Sequence, residues 1–435
     1  MANALLTPRG GDPNLVESEA GFAAAIDQLK QGNGEIAIDA ERASGYRYSQ
    51  RAYLIQVFRK GGGLHLIDPI PLTESKIWQE FNKSFSNLEW VIHASTQDLP
   101  CLIGVGLKPQ SLFDTELAAR VAGCERVGLA PLAESLLDLT LTKEHSAVDW
   151  SIRPLKSEWL NYAALDVDIL LDIKEKVEAL LVEQSKLSWA KEEFAAILQS
   201  YENYIFTDEP KADRWRRTSG MHKVKDRQTL TIVRELWVSR NELARQLDLA
   251  PSRVLTDEAI IDLAIAKPDD LELIAKIIGY RSKLDAPPFG SWHRVIKSAL
   301  AISTADQPEL RIASAALPPI RVWRDKNPLA FARLSHAKFQ ISVKASELKM
   351  PSENLITPEL VRRVCWGPPP ANPSEYEKFV GDELTRLGAR RWQILQVAKS
   401  IASALGEVEP LPAVEPVDEE SKADGVKQVD GQVKG

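Results

Sequence analysis

The sequence lacks a long hydrophobic run. None of its 435 residues lies in a stretch approaching the roughly 18 to 20 consecutive apolar residues that a membrane-spanning helix needs. The first residues, MANALLTPRGGDPN, also lack the basic and then apolar pattern of a secretory signal. We therefore expect a cytoplasmic protein that has no membrane partner.

Cysteine is scarce. The chain has three cysteines, Cys101, Cys124 and Cys365. Their odd number and wide spacing fit neither a disulfide framework nor a zinc site. We expect three reduced and buried thiols.

A nucleotide-binding loop is also missing. No G-x-x-x-x-G-K-[ST] motif is present, and the three glycines at 61–63 precede a predicted strand without the following lysine and hydroxyl residue. Neither a nucleotide cofactor nor helicase activity is expected.

The composition and length indicate a folded protein of several domains. With 44% hydrophobic and 26% charged residues the chain has enough apolar material for real cores, and its length allows about three domains. The net charge of −7 argues against a protein that only coats nucleic acid. The charge is regional, however: residues 211–245 contain ten lysines and arginines against four acids, whereas residues 407–435 contain eight acids and three lysines.

The first 205 residues read as a domain with one central sheet. Four runs rich in β-branched and other apolar residues predict strands, and segments with apolar residues at helical spacing lie between and after them. This order indicates an α/β or α+β fold. The predicted strands are EIAIDA, RAYLIQVF, GLHLIDP and EWVIHA.

The strand signal nearly vanishes after residue 210, and the rest reads as helices joined by proline-rich segments. Residues 246–258 align without a gap to residues 347–359, at an offset of 101, and Thr256 and Thr357 both occupy an expected helix N-cap. We predict two similar helical domains, at 211–300 and 320–405, and a disordered acidic tail at 407–435.

Acidic residues in three distant segments are candidates for chemistry. Asp39 and Glu41 are two apart on a predicted strand and therefore project from the same face. Asp98 follows another predicted strand. Tyr162 and Asp166 are four apart on a predicted helix and lie one turn apart on one face. Taken singly, these residues also fit a solvated pair, a charge at a helix N-terminus and a core aromatic.

Together the four acids favour a metal site. Two divalent ions about 3.5 to 4 Å apart need several hard oxygen ligands, and four converging carboxylates can supply them. Without cations such a cluster would be strongly repulsive, so a purely structural role fits less well. A tyrosine nearby could orient or help to deprotonate an attacking water. The pattern therefore indicates cleavage of phosphodiesters.

Three segments carry a resemblance to a known family: IAIDAERASGYRYSQRAYLIQVF, VIHASTQDLPCL with SLFDTELAARVAG, and KEHSAVDWSIRPLKSEWLNYAALDVDILLDI. They resemble the tyrosine variant of the DEDD superfamily of 3′–5′ exonucleases, and the ribonuclease D family in particular. The third segment is the most specific, since DW, RPL and YAALD occur in the order and spacing of the family. The resemblance implies a ribonuclease H-like exonuclease domain at 1–205, with a mixed five-stranded sheet and flanking helices.

The resemblance also implies roles for individual residues. Asp39, Glu41, Asp98 and Asp166 match the metal-binding acids of the family, whose cofactors are two divalent ions, Mg²⁺ or Mn²⁺. Tyr162 matches the water-orienting tyrosine. Ala40 and Arg42 depart from the usual threonine and aromatic residue, which puts contacts to the terminal nucleotide in doubt. Three further residues, expected to support the site from behind, stand at family-like positions: Gln56, His93 and Arg153.

The helical domains resemble helicase-and-ribonuclease-D C-terminal (HRDC) domains. Their basic residues, interleaved with tryptophans, offer contacts to phosphates and stacking surfaces, although a solvated basic helix with core tryptophans is the alternative. The expected nucleic-acid contacts are Arg214, Arg216, Arg217, Lys223, Lys225 and Arg227.

The resemblance implies a metal-dependent 3′–5′ exoribonuclease that releases nucleoside 5′-monophosphates. Its expected partners are RNAs with a free 3′ end, transfer-RNA precursors among them, and the chain is expected to be a monomer. Two alternatives stay open: a 3′–5′ DNA exonuclease, since the same metal chemistry cleaves either backbone, and a non-catalytic RNA-binding protein on a nuclease scaffold.

Overall fold

A computed structural model describes residues 3–10, 13–141, 148–279, 289–311 and 317–406. It divides into two compact units, Met1–Ser314 and Ala315–Gly435. The predicted acidic tail at 407–435 lies outside the described residues. In the described ranges no helix is both long and apolar enough to cross a membrane.

The first unit contains all the strands of the described chain. In order they are β1 (Asn3–Leu5), β2 (Asn14–Val16), β3 (Ile36–Arg42), β4 (Ala52–Arg59), β5 (Gly63–Ile67), β6 (Glu89–Ile92), β7 (Ser111–Asp114) and β8 (Leu139–Leu141).

The helices of the first unit accompany the strands up to residue 200, and the later ones, from residue 227, form a helical domain. They are α1 (Glu19–Gln31), α2 (Ile77–Phe85), α3 (Leu99–Gly104), α4 (Thr115–Ala122), α5 (Leu129–Leu137), α6 (Ser157–Asp168), α7 (Leu170–Glu183), α8 (Leu187–Ser200), α9 (Arg227–Leu247), α10 (Pro251–Val254), α11 (Asp257–Ala266), α12 (Leu271–Ile278) and α13 (Phe289–Leu300).

The central sheet has the order β2-β5-β4-β3-β6-β7. β4 pairs antiparallel with both β3 and β5, and the remaining pairings are parallel. The expected mixed sheet with flanking helices is confirmed, and it has six strands rather than five because the short strand β2 pairs with the edge of β5. The four predicted strands are β3, β4, β5 and β6.

The sheet is covered on both faces, which explains why its central strand β4 is a nearly continuous apolar run. Helix α6 packs on β3, β4 and β5, and its Ala163 and Ala164 are fully buried there. An aromatic cluster of Phe22, Phe81 and Trp90 forms a second buried region with α1 and α2. Two small residues on α6 thus allow this helix to lie close to the sheet.

The loop at 43–51, between β3 and β4, docks on the helical domain formed by α9 to α13. Tyr48 is buried among the apolar residues of this domain, and its hydroxyl accepts a hydrogen bond from Asn241 at 2.9 Å. The N–H of Ala250 donates to the carbonyl of Tyr46 at 3.0 Å, and the guanidinium of Arg253 stacks on the Tyr46 ring at 4.1 Å. A loop that follows Glu41 on the chain is therefore part of the helical domain's core.

The second unit is helical in its described part. Its helices are α14 (Trp323–Lys326), α15 (Pro328–Glu347), α16 (Ser352–Leu355), α17 (Pro358–Trp366), α18 (Tyr376–Arg386) and α19 (Arg391–Ser403).

The internal repeat has a structural counterpart. Both copies consist of a long helix, a four-residue helix and a third helix, and α15, α16 and α17 each begin 101 residues after α9, α10 and α11. Thr256 caps α11 by accepting from the Ala259 N–H, whereas Thr357 stands at the N-cap of α17 without such a bond. The two copies thus share their backbone course and differ in one cap.

The thiols are free, as expected, but they are not all buried. Cys101 and Cys365 are buried, whereas Cys124 is only partly buried. Cys124 follows the left-handed Gly123 that ends α4, at the surface end of this helix. The expectation of three buried thiols is wrong for Cys124.

We expect Tyr48→Ala to lower the free energy of unfolding by about 3 kcal/mol, because it removes a buried aromatic ring from the core of the helical domain. Tyr48→Phe keeps the ring and is expected to cost about 1 kcal/mol, the value of one hydrogen bond. Urea denaturation followed by circular dichroism measures both. Equal losses in the two variants would contradict burial of the ring.

Candidate active site

A pocket of about 350 Å³ opens where β3 and β6 reach their carboxyl ends. This edge of a sheet is where ligands collect in open α/β folds. All four acids and the tyrosine singled out from the sequence line the pocket, together with an apolar wall. The lining residues are Asp39, Ala40, Glu41, His93, Ala94, Gln97, Asp98, Leu129, Ala130, Leu141, Tyr162, Asp166 and Leu170.

Three carboxylates from two elements meet in this pocket. One oxygen each of Asp39, Glu41 and Asp166 lies within 4.8 Å of the others. Asp39 and Glu41 are alternate residues of β3, so they point to the same face, and the strand pairing becomes irregular only after Glu41. Helix α6 brings Asp166 to them. The cluster offers only oxygen ligands, the set that hard divalent cations prefer.

Asp98 joins the cluster from the loop after β6. It is 5% exposed and shares a hydrogen bond with Asp39. Asp98 stands at the N-cap of α3, yet its side chain makes no capping hydrogen bond. The alternative role considered for it, a charge at a helix N-terminus, is therefore not what the geometry shows. A hydrogen bond between two carboxyl groups requires that they share a proton.

A buried aspartate fixes the loop that carries Asp98. Asp114, at the end of β7, accepts from the N–H and the hydroxyl of Ser95 at 2.8 and 2.7 Å and also caps α4 through the Leu117 N–H. Ala94 adopts a left-handed conformation, with φ of 54°, which turns the chain immediately after β6. The strain at Ala94 is therefore held in place by the bonds to its neighbour Ser95.

Helix α6 presents Tyr162 and Asp166 on one face. The Tyr162 hydroxyl forms a hydrogen bond with Asp166, one helical turn away, and the ring packs against a buried cluster that includes Trp150 and Trp159. The hydroxyl thus faces the acids while the ring is anchored in apolar surroundings. Desolvation and the nearby acids raise the pKa of Tyr162 strongly, so the phenol is neutral at physiological pH.

The carboxyl groups are held in unfavourable electrostatic surroundings. Desolvation and the negative charge of their neighbours raise the pKa values of Glu41, Asp98 and Asp166 well above the usual range. Desolvation also raises the pKa of Asp39, and a hydrogen bond from the Ala40 N–H partly opposes this rise. Four acids with raised pKa values in one pocket are a site that a cation would stabilise.

Arg42 is the basic residue closest to the acids along β3. Its Nη2 lies 3.5 Å from an Asp98 oxygen. Its positive charge limits the rise in the pKa values of Asp39, Glu41 and Asp98. It partly offsets the negative charge of the cluster in this chain.

The three residues expected to support the site lie in different surroundings. His93 lines the pocket, its Nδ1 lies 2.9 Å from the Thr115 hydroxyl, and desolvation lowers its pKa. Gln56 is opposite Asp39 in the sheet and fully buried. Arg153 contacts none of the acids of the pocket; it forms a bidentate pair with Asp68, at 2.5 and 2.8 Å.

Arg153 acts on the site through the backbone. Besides Asp68, it donates to the carbonyls of Tyr53 and Trp150 at 2.8 Å each, so it ties the segment before α6 to the sheet. Bidentate guanidinium pairs of this kind fix geometry as well as charge. Arg153 therefore fixes the segment that leads into α6, the helix that carries Tyr162 and Asp166.

The six basic residues expected to contact nucleic acid fall into two groups. Arg216 and Arg227 are tied to the segment at 307–309 through its carbonyl groups and Glu309, and Lys225 donates to the His222 carbonyl. Lys225 is nevertheless exposed, as are Arg214, Arg217 and Lys223. Arg214 and Arg217 also line a cleft of about 980 Å³ between the linker at 207–211 and the helical domain.

Sequence reasoning missed several contributors to the site. Asp114 could have been recognised, because an acid that follows a short apolar run and precedes a helical pattern is a typical N-cap. The apolar wall of Leu129, Ala130 and Leu141 carries no signal in the sequence, since apolar residues at helical spacing look the same in any core.

Comparisons with protein families match three regions. Residues 13–181 match a model described as "3'-5' exonuclease", residues 229–284 match "HRDC domain", and residues 316–405 match "3' to 5' exonuclease C-terminal domain". The first two regions fall within the predicted domains at 1–205 and 211–300, and the third begins four residues before the predicted domain at 320–405. The exact limits of the domains stay a prediction.

Individual relatives agree with the family models. A ribonuclease D of Acidiphilium cryptum is 31% identical over 320 residues, which are 72% of this chain and 79% of the relative. One of Granulibacter bethesdensis is 32% identical over 191 residues, 43% of this chain and 47% of the relative.

Solved structures share the fold. A protein from Bifidobacterium adolescentis is 36% identical, with a TM-score of 0.83 over 93% of this chain and 100% of that chain. Escherichia coli RNase D is 21% identical, with a TM-score of 0.62 over 90% of this chain and 98% of that chain. The second likeness concerns the fold alone.

The fold and the matched models define a hydrolytic 3′–5′ exonuclease, a class whose fold implies divalent metal ions. More narrowly, the chain belongs to the ribonuclease D family of exoribonucleases.

The raised pKa of Asp166 gives a stability prediction for the metal-free protein. Between the ordinary pKa of an aspartate and the raised one, the folded state holds a proton that the unfolded state has released, so the free energy of unfolding falls as pH rises. We expect Asp166→Asn to raise this free energy at pH 8 by about 1 to 3 kcal/mol, and the gain to vanish near pH 4.

Urea denaturation at several pH values in the presence of a chelator measures this difference. Asp27→Asn on α1, where the side chain is 72% exposed, is the matched control and should change stability by less than about 0.5 kcal/mol. An Asp166→Asn variant less stable than the wild type at pH 8 would contradict repulsion in the pocket.

Proposed function

We propose that the pocket removes nucleotides one at a time from the 3′ end of RNA and releases nucleoside 5′-monophosphates. The observation that carries the proposal is the meeting of Asp39, Glu41 and Asp166 within 4.8 Å, with Asp98 bonded to Asp39 and Tyr162 to Asp166. The four acids would hold two divalent cations. When bound, the cations would lower the pKa of a water molecule and neutralise charge on the scissile phosphate.

The donor set supports Mg²⁺ or Mn²⁺ as the metal. Carboxylate oxygens suit these hard ions. The four acids come from β3, from the loop after β6 and from α6, so they surround the space on more than one side. Such an arrangement would let the acids hold the cations from more than one side.

Tyr162 would orient the attacking water. A phenol that keeps its proton can donate or accept a hydrogen bond to a water molecule. Asp166 holds the hydroxyl in position, and the buried ring fixes its direction. Orientation of the water is therefore the role that its geometry supports.

The substrate class we propose is RNA with a free 3′ end, transfer-RNA precursors included, in the cytoplasm and with the protein acting as a monomer. Transfer-RNA processing is the known role of the family. The exposed Arg214, Arg217 and Lys223 in the helical domain would contact phosphates upstream of the terminal nucleotide. Arg216 and Arg227 would instead preserve the domain's structure, because their guanidinium groups are bound to residues 307–309.

We expect Asp39→Asn to lower the rate of 3′ trimming by about 1000-fold and to change the Kd for RNA by less than about threefold, because the acid acts on the reacting phosphate and not on the RNA chain. Single-turnover hydrolysis of a single-stranded RNA, followed by separate binding at 4 °C, measures both. The exposed Asp27→Asn is the control and should trim at the wild-type rate. Full activity of Asp39→Asn would remove this residue from the mechanism.

We expect the triple variant Arg214→Gln, Arg217→Gln, Lys223→Gln to weaken RNA binding and to lower the slope of log affinity against log salt by about 2, because three phosphate contacts are lost. Fluorescence anisotropy at several salt concentrations measures the slope.

The control for this variant removes three other exposed cations of the same helical domain, with Arg245→Gln, Lys276→Gln and Lys297→Gln. It carries the same net charge, so a purely long-range effect would act on both variants. An equal change of slope in both would contradict a local contact. A matched DNA strand, tested alongside, decides whether RNA is preferred.

A further inference from the structure

Residues 3–9, in the first described segment of the chain, lie beside the pocket although none of them lines it. Its strand β1 pairs in parallel with β8, residue by residue from Asn3 opposite Leu139 to Leu5 opposite Leu141. These two strands form a small sheet of their own, separate from the central one. We call residues 3–9 the leading segment.

Through β8, the leading segment supports one wall of the pocket. Leu141, the last residue of β8, lines the pocket and is 8% exposed, and β8 packs on α5, which contributes Leu129 and Ala130. In the described chain, β1 is the strand with which β8 pairs. The backbone position of this apolar wall therefore depends on the leading segment.

Through two side-chain contacts, the leading segment also holds the opposite wall. Asn161, which precedes Tyr162 on α6, donates to the Leu6 carbonyl at 2.7 Å. Asp168, two residues after Asp166, accepts from the Arg9 N–H at 3.2 Å and from Arg9 Nε at 2.9 Å. The helix that carries the tyrosine and the acid is thus tied at points on either side of both.

Arg9 spans the junction of two helices. Its Nη1 lies 2.5 Å from Asp172 on α7, and its Nη2 donates to the Asp168 carbonyl, where α6 ends. Asp168 is 3% exposed, so its charge is removed from water and needs this partner. Planar bidentate contacts of a guanidinium restrict direction as well as distance, which suits Arg9 to holding the end of α6.

We propose that Arg9 is a positioning residue, through which the leading segment keeps Asp166 and Tyr162 aligned with Asp39 and Glu41. The inference rests on the proposed function for its consequence in catalysis. Partners that orient metal ligands from behind commonly change metal affinity by about 10-fold to 100-fold when they are removed. A residue that contributed only to folding would lower the amount of folded protein and leave the affinity of the folded molecules unchanged.

The test uses the full chain and Mn²⁺ alone, with free Mn²⁺ followed by electron paramagnetic resonance. We expect Arg9→Gln to weaken Mn²⁺ binding by about 10-fold and to speed amide exchange at Asn3 and Thr140, whose N–H groups face the partner strand in the β1–β8 pair, while the wild-type chain binds Mn²⁺. Lys30→Gln is the matched control, since Lys30 also faces two carboxylates, those of Asp27 and Glu80, on the surface of the same domain. It should leave both readouts unchanged.

Asn161→Ala provides a second, milder variant in case Arg9→Gln does not fold. It removes only the bond to the Leu6 carbonyl and is expected to weaken Mn²⁺ binding by about threefold, with faster exchange at the same amides. Mn²⁺ affinity and exchange like those of the wild type in this variant would overturn the proposal. A wild-type chain that binds no Mn²⁺ would overturn it too.

The outcomes also separate this inference from the proposed function. A wild-type chain that binds Mn²⁺ but does not shorten RNA would remove the proposed function, whereas weakened Mn²⁺ binding in Arg9→Gln would still support positioning by Arg9. Conversely, 3′ trimming by the wild type together with unchanged Mn²⁺ affinity in both variants would remove the role of Arg9 alone.

Discussion

Mutual repulsion among four carboxylates is the constraint on which this molecule depends. Asp39, Glu41, Asp98 and Asp166 converge in one pocket, and burial raises the pKa values of all four. For Glu41, Asp98 and Asp166 the negative charge of neighbouring acids raises the pKa further. A folded chain can keep such a cluster only if other interactions hold the segments that carry it. The same repulsion gives the pocket its affinity for cations, so the cost to stability and the capacity for chemistry have one cause.

The frame around the pocket consists of polar ties between segments distant in sequence. Arg153 joins the segment before α6 to Asp68 at the end of β5, and Asp114 joins the end of β7 to the loop that carries Asp98. Arg9 holds the other end of α6. Each tie uses a carboxylate that is itself buried, so losing its partner would leave an uncompensated charge. The site is therefore rigid because its supports cannot be loosened one at a time without penalty.

The sequence allowed the site to be predicted better than its supports. Alternation on β3 places Asp39 and Glu41 on one face, and the four-residue spacing on α6 does the same for Tyr162 and Asp166, because these relations are local and follow from backbone periodicity. The meeting of the two pairs in one pocket is a tertiary relation that periodicity does not supply. Strand β1 could not be foreseen: three residues with no strong strand signal pair with a segment more than 130 residues away. Likewise, Arg227 differs from its exposed basic neighbours because it is bound to residues 307–309. This difference depends on tertiary contacts and could not be predicted from the sequence.

The most direct test of the account is the fate of an RNA labelled at its 5′ end and bearing a single-stranded 3′ extension, incubated with Mg²⁺ and, in parallel, with Mg²⁺ and an excess of chelator. A cation-dependent pocket that takes the 3′ terminus predicts a ladder of labelled products that shortens one nucleotide at a time only while free Mg²⁺ is present. Immediate release of the labelled 5′ nucleotide, or shortening that continues in chelator, would contradict the account.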